Sequence, residues 1–397
     1  MAATPAKFPR TFYYANAIEL FERLAHYGLY IGLSLYLTNV VHMTDVEVGF
    51  TLGNWRLVAS LAPIPCGAIA DRITFKRSLL VAFTLYAIAY TSLLLFPQKL
   101  VAILSLFLAA IAGGFMKPVI MGTVIRTSPP GRQTEGFGVF YRMINAGSVV
   151  GKTLAYGVRR LVALRFVATT SVIASLVALG IAAFGYQEPE EGKAEKGPAM
   201  REVLAGYATA LKDLRFTAFL LVASGFYFMA EQFYMTFPKY VTRTIDEKAP
   251  LELITLINPA CIAIAQGVVV RLMRNVGPIW TMSIGVAIGS VSMLVMGAVP
   301  TLAGACLSFF VFAVAEMILS PRYYEYVSSF APKGREGLYM GLSIAPLGLG
   351  GLVGGVLSGR LIARYLPKDG PGAPLAVWGT YAAIGVGCSL LLAVYAI

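Results

Sequence analysis

Glu19-Leu20-Phe21-Glu22-Arg23-Leu24-Ala25-His26-Tyr27-Gly28 sets two carboxylates and a guanidinium within five residues of an otherwise apolar run. At about 100° per residue, Glu19 and Arg23 fall within roughly 40° of each other on one helix face, with Glu22 beside them. Phe12, Tyr13, Tyr14, Leu29, Ile31 and Leu33 flank the group, so the segment is long and greasy enough to span a bilayer. Charges at bilayer depth cannot face lipid, because each costs at least a few kcal/mol there, about 3 even on the lenient scales. They must pair with one another or line a polar space, which makes them functional candidates.

Composition agrees with a membrane setting. The chain is 57% hydrophobic and 13% charged, against about 25% charged for soluble domains, and its mean hydropathy is +0.72. The net charge of +12 reads as basic loops flanking spans, since no basic-aromatic nucleic-acid module is present. Cys66, Cys261, Cys306 and Cys388 lie singly in apolar segments, and the only histidines are His26 and His42. Neither a disulfide framework nor a metal site is expected, and no cofactor. No phosphate loop or nucleophile elbow appears, so no enzyme is expected.

Hydropathy predicts twelve spans, near 12–40, 48–70, 78–97, 100–126, 136–158, 165–186, 215–241, 251–273, 277–299, 301–328, 337–364 and 375–396. The polar stretch from Gln187 to Lys212 divides them six and six. The expected domains are a six-helix bundle over 1–187, a cytoplasmic linker over 188–214 and a second six-helix bundle over 215–397. Basic residues in alternate loops favour both termini on the cytoplasmic side of the plasma (inner) membrane. This two-by-six layout resembles the major facilitator transporters, an all-α membrane fold of two pseudo-symmetric bundles with cargo bound near mid-membrane. Gly67-Ala68-Ile69-Ala70-Asp71-Arg72 with Lys76-Arg77 is similar to that superfamily's signature loop. The resemblance implies a gating role for Asp71 and Arg72.

Further charges lie inside later spans: Arg56, Lys117, Arg142, Lys152, Glu231 and Glu316. Lys152 is read as a lysine near a helix end that snorkels to the interface. Gly351, Gly355 and Gly359 form a stripe that permits close helix approach, read as packing or hinge freedom inside one half.

Several segments together resemble the proton-coupled oligopeptide transporters. Glu19-x-x-Glu22-Arg23 with Tyr27-Gly28 resembles their span-one motif. Gly113-Gly114 with Lys117-Pro118, Phe140-Tyr141 with Ile144-Asn145-Ala146-Gly147-Ser148, Glu231-Gln232, Ile257-Asn258-Pro259 and the stretch from Glu316 to Gly341 fit later motifs, in order. The resemblance implies uptake of di- and tripeptides by a monomer driven by the proton gradient, with Glu19, Glu22 and Arg23 coupling the proton. Arg23, Tyr27 and Lys117 would meet the cargo carboxylate; Asn145, Asn258 and Glu316 its amino end, with Glu231 also in the site. His26 and Leu24 depart from the motif. Tyr30 stands where relatives often place an arginine that pairs with the span-seven acid, so Arg56 is the expected substitute partner of Glu231. Arg322-Tyr323-Tyr324 is bulkier than usual after Ser320-Pro321. The alternative on the same fold is a proton-driven exporter or carrier of a non-peptide solute such as a drug, sugar or lipid-like metabolite.

Overall fold

The computed structural model describes residues 7–129, 131–189, 200–332 and 335–396. Helices succeed one another as α1 (Arg10–Asn39), α2 (Asp45–Leu61), α3 (Pro63–Ile73), α4 (Phe75–Leu95), α5 (Lys99–Thr127), α6 (Gln133–Leu161) and α7 (Ala168–Gly180). Then come α8 (Met200–Ala210), α9 (Leu214–Met235), α10 (Phe237–Thr244), α11 (Leu251–Ile254), α12 (Ile257–Met273) and α13 (Pro278–Ala298). The chain ends with α14 (Leu302–Ser329), α15 (Glu336–Leu342), α16 (Ala345–Tyr365) and α17 (Pro374–Tyr395).

Among the described residues, nine helical stretches are long and apolar enough to cross a membrane. The other three expected spans correspond to α1, to α2 with α3, and to α6. These helices carry Glu19, Glu22 and Arg23, Arg56, and Lys152: α1 (30 residues) and α6 (29) are long but polar, whereas α2 (17) and α3 (11) are also short, being broken at Ala62. Large apolar side chains such as Phe184 and Ile264 are left exposed, 94% and 85%, as a lipid-embedded surface requires. The chain is an integral, multi-pass membrane protein.

The chain forms two compact units, one of Met1–Gly32 with Leu61–Met200 and the other of Leu33–Ser60 with Arg201–Ile397. In the first, α4 packs on α5 and α7, and α3 on α5. In the second, α13 packs on α14 and α17, α16 on α9, and α12 on α14. The segment Leu33–Ser60 precedes the linker in sequence yet belongs to the unit built from residues beyond it, and two features of α2 explain this.

The first feature is an ion-paired start. Thr44 and Glu47 form a reciprocal capping box, Thr44 N donating to Glu47 Oε2 (2.7 Å) and Glu47 N to Thr44 Oγ1 (3.2 Å), which fixes where α2 begins. Asp45 in its first turn then accepts from Lys239 Nζ (2.7 Å) and from both terminal nitrogens of Arg243 (2.9 Å each). Arg243 also donates to the Leu366 carbonyl at 2.7 Å, so one aspartate joins α2, α10 and the end of α16.

The second feature is close backbone approach. A Cβ on Gly355 would collide with the Gly49 carbonyl and the Gly53 backbone, so the glycine stripe of α16 lies against α2. The neighbouring face, Gly350 and Gly354, lies against α9 at Ser224, Phe228 and Gln232. The stripe therefore clasps a helix from before the linker as well as one from after it, which corrects the reading of packing inside one half.

Pro321 sits inside α14 and has no N–H for the carbonyl of Met317 four residues back. Gln266 on α12 takes up that carbonyl, donating from Nε2 at 3.1 Å.

Two measurements check this architecture. Gly355→Ala should lower the thermal midpoint of the purified protein, since overpacking costs about 1–3 kcal/mol. Gly267→Ala, where nothing lies within 4 Å of an added Cβ, should hold or raise it.

Burial raises the carboxyl pKa of Asp45 in the first instance. The Arg243 hydrogen bond and the Lys239 charge outweigh that and hold it below its ordinary 3.8. A depressed carboxylate stabilises the fold above its ordinary value and loses that contribution only as pH falls through the lowered one. The midpoint difference between wild type and Asp45→Asn should thus stay constant from pH 5 to about 8 and shrink below about pH 3.8.

Candidate functional site

Within the first unit, α1 presents Glu19 and Glu22 as buried carboxylates, 3% and 2% exposed. Arg23 Nε lies 3.0 Å from Glu19 Oε1 and also ion-pairs with Glu22 Oε2. The second contact is a meeting of charges without an aligned hydrogen bond. Tyr86 on α4 donates its hydroxyl to Glu22 Oε1 at 3.0 Å, and Tyr90 stacks on Tyr86 at 5.5 Å. Lys117 on α5 lies within electrostatic reach of Glu19.

The Gly113-Gly114 pair acquires a physical meaning here. A Cβ on Gly113 would sit 2.8 Å from the Tyr86 hydroxyl, and one on Gly114 equally close to the Ala62 backbone. The first glycine makes room for the hydroxyl that holds Glu22; the second lets α5 reach the α2–α3 break. Sequence reasoning misses Tyr86, because a tyrosine in an apolar span looks like any other core aromatic.

Lys152 is the second residue that sequence reasoning misjudges. It is 2% exposed, with Nζ 5.3 Å from the centroid of the Tyr27 ring. This lysine does not snorkel: its ammonium is held inside, over an aromatic face, where cation–π attraction offsets part of the desolvation. Tyr27 in turn meets His26 edge-on at 5.1 Å, and His26 lies 5.3 Å from Tyr30. Asn145 donates its amide to the Tyr141 carbonyl one turn back, at 2.9 Å.

In the second unit, Glu231 and Glu316 lie inside the spanning helices α9 and α14. Arg56 on α2 donates Nε to Glu231 Oε1 on α9 at 2.9 Å, with Nη2 at 2.8 Å from the same oxygen. Arg56 is therefore the partner of Glu231 that Tyr30 cannot be. Glu316 on α14 accepts from Asn258 Nδ2 on α12 at 3.0 Å. Tyr227 on α9 lies within electrostatic reach of Glu316.

Of the signature loop, Arg72 closes α3 and is exposed, whereas the side chain of Asp71 lies outside the described residues. The structure adds a residue not foreseen in this region, Glu188. Its two carboxylate oxygens accept from Phe75 N and Lys76 N at 2.9 Å each, capping the start of α4. Thr74, at φ +94°, accepts from Arg77 N, and Arg126 lies 4.4 Å over the Phe75 ring. Among the described residues, no group of three His, Cys, Asp or Glu is placed to hold a metal ion.

Buried, mutually paired charges inside apolar helices mark functional positions. The chain matches the family model of the Major Facilitator Superfamily over residues 17–355, and it belongs to that superfamily. It is 24% identical over 369 residues to the "Multidrug resistance protein MdtH" of Cronobacter sakazakii, covering 91% of this chain and 88% of that one. Among solved structures it resembles a POT family transporter in complex with 5-aminolevulinic acid, with a TM-score of 0.81, 18% identity, and 98% and 96% of the two chains covered. The nucleoside transporter NupG is similar at a TM-score of 0.79 and 14% identity, with 97% and 98% covered. The fold is thus that of the major facilitator transporters, peptide transporters included, and it does not single out a cargo.

Charge reversal checks the Arg56–Glu231 pair. Each single change, Arg56→Glu or Glu231→Arg, should destabilise the protein by about 3–5 kcal/mol, the usual cost of breaking a buried pair. The double reversal should recover a good part of that loss in thermal midpoint.

Proposed function

We propose that the protein is a proton-coupled symporter for small peptides or related amphoteric metabolites, working in the plasma membrane with both termini cytoplasmic. The observation that carries the reading is the environment of Glu22: one carboxylate engaged at once by Arg23 and by the Tyr86 hydroxyl. A carboxylate so placed is suited to exchange a proton when cargo competes for Arg23.

The charges of the two units support amphoteric cargo. In the first, Arg23 and Lys117 stand near Glu19, and these cations suit an anionic group. Arg23, Tyr27 and Lys117 are its proposed ligands. In the second, Glu316 accepts a hydrogen bond from Asn258, and a carboxylate there suits a cationic group. Glu316 and Asn258, with Asn145 and Glu231, are proposed for the amino end. The solved relative bound to 5-aminolevulinic acid, a small amphoteric molecule, agrees with this class. We take Asp71 and Arg72 as gating residues and the chain as a monomer.

A second reading, a proton-driven exporter of non-peptide solutes, draws on the relative described as a multidrug resistance protein. A thermal-shift screen separates the two. Stabilisation by di- and tripeptides or amino-keto acids supports the first, and response only to drugs, sugars or lipids supports the second. In proteoliposomes, Glu22→Gln should lose at least about tenfold of gradient-driven accumulation while sparing counterflow exchange. Full accumulation by this variant would remove Glu22 from coupling.

A further inference from the structure

Two amides on α12 hold neighbouring residues of α14. Asn258 Nδ2 donates to the Glu316 carboxylate at 3.0 Å, and Gln266 Nε2 donates to the carbonyl of Met317, the next residue, at 3.1 Å. That carbonyl is open to a side chain because Pro321, four residues on, brings no N–H to it. At the end of α12, Arg322 Nη2 ties the same two helices from the other direction, donating to the carbonyls of Met273 (3.0 Å) and Arg274 (2.9 Å). Gln266 stands in an otherwise apolar run, with Ala260-Cys261-Ile262-Ala263-Ile264-Ala265 before it and Gly267-Val268-Val269-Val270 after it. A primary amide in such a run costs free energy unless it is hydrogen-bonded, and the Met317 carbonyl answers it.

From this arrangement we propose that Gln266 is a positioning residue for Glu316, the carboxylate assigned to the amino end of the cargo. The proposal rests on that assignment and adds what keeps the carboxylate in place. Asn258 fixes the tip of the Glu316 side chain. Gln266 fixes the backbone one residue on, at the rung where α14 lacks a bond of its own. Both contacts come from one helix, so the root and the tip of the side chain are referred to the same frame. A binding group supported in this way meets its ligand without first being ordered, and affinity falls when the support is removed. In this role Gln266 is not a ligand: it acts through the place it gives Glu316.

The test uses the full-length purified protein. Gln266→Met keeps the length of the side chain and removes the donor, and Pro321→Ala supplies an N–H for the Met317 carbonyl from within α14. Gln266→Met should lower the thermal midpoint, and by less than about half as much when Pro321→Ala is already present. Equal drops in the two backgrounds would overturn the proposal. Affinity is read with 5-aminolevulinic acid and alanyl-alanine as probes. Gln266→Met should weaken it about fivefold, the usual worth of one hydrogen bond, and in the Pro321→Ala background by less than about twofold. Counterflow should show the loss in half-saturation while the maximal rate per folded carrier stays within about twofold, a split that general loss of structure does not produce. In a Glu316→Ala background Gln266→Met should change affinity by less than about twofold, and a further fivefold loss there would overturn the proposal. Binding of neither probe by wild type, or binding that Glu316→Ala leaves unchanged, overturns the assignment of Glu316 and this role with it. Binding that Glu316→Ala weakens and Gln266→Met leaves unchanged overturns this role alone. If Gln266→Met cannot be purified, Gln266→Met with Pro321→Ala should still fold and bind, and its failure would also overturn the proposal.

Discussion

A charge in a low-dielectric interior has to be answered by another charge or by hydrogen bonds, and the distinctive features of this chain derive largely from that rule. Glu19 and Glu22 are kept inside by Arg23, Tyr86 and the nearby Lys117; Glu231 by Arg56; Lys152 by the face of Tyr27. Each arrangement requires side chains from different helices to arrive together, so the polar groups constrain the bundle as firmly as its apolar packing does. Removing one partner leaves the other stranded, at a cost of about 3–5 kcal/mol for a buried pair.

The spacing between helices is set where side chains are absent. Gly113 leaves a hydroxyl-sized gap for Tyr86, and Gly53 with Gly355 lets α2 and α16 touch backbone to backbone. Together with Asp45, Lys239 and Arg243, the second contact makes Leu33–Ser60 part of the compact unit that lies beyond the linker. Chain order and compactness thus divide the molecule differently, and the division falls within helices rather than in loops.

Much of this is legible in the sequence, for reasons that can be stated. Glu19, Glu22 and Arg23 are visible because charge inside a long apolar run has no lipid-facing solution, and the same logic locates Arg56, Lys117, Glu231 and Glu316. The pairing of Arg56 with Glu231 can be anticipated from opposite sign at similar depth. Tyr86 is hidden because aromatic residues are common in spans and their hydroxyl partners depend on helix rotation. Lys152 misleads because flexible lysines near helix ends usually do reach the interface, and only packing shows that this one is enclosed. Glu188 lies beyond reach because its partners are backbone amides more than a hundred residues away, which leave no mark on composition.

The interrupted rung at Pro321 gives α14 a mechanical property. On one side of it stands Glu316, on the other Tyr323 and Tyr324, and the gap between them is spanned by a side chain borrowed from α12, Gln266. The ladder of α14 is completed at that rung from outside the helix, which ties α12 to α14 at the level of Met317. Glu316 and the pair Tyr323–Tyr324 thus lie on either side of a rung that a second helix completes.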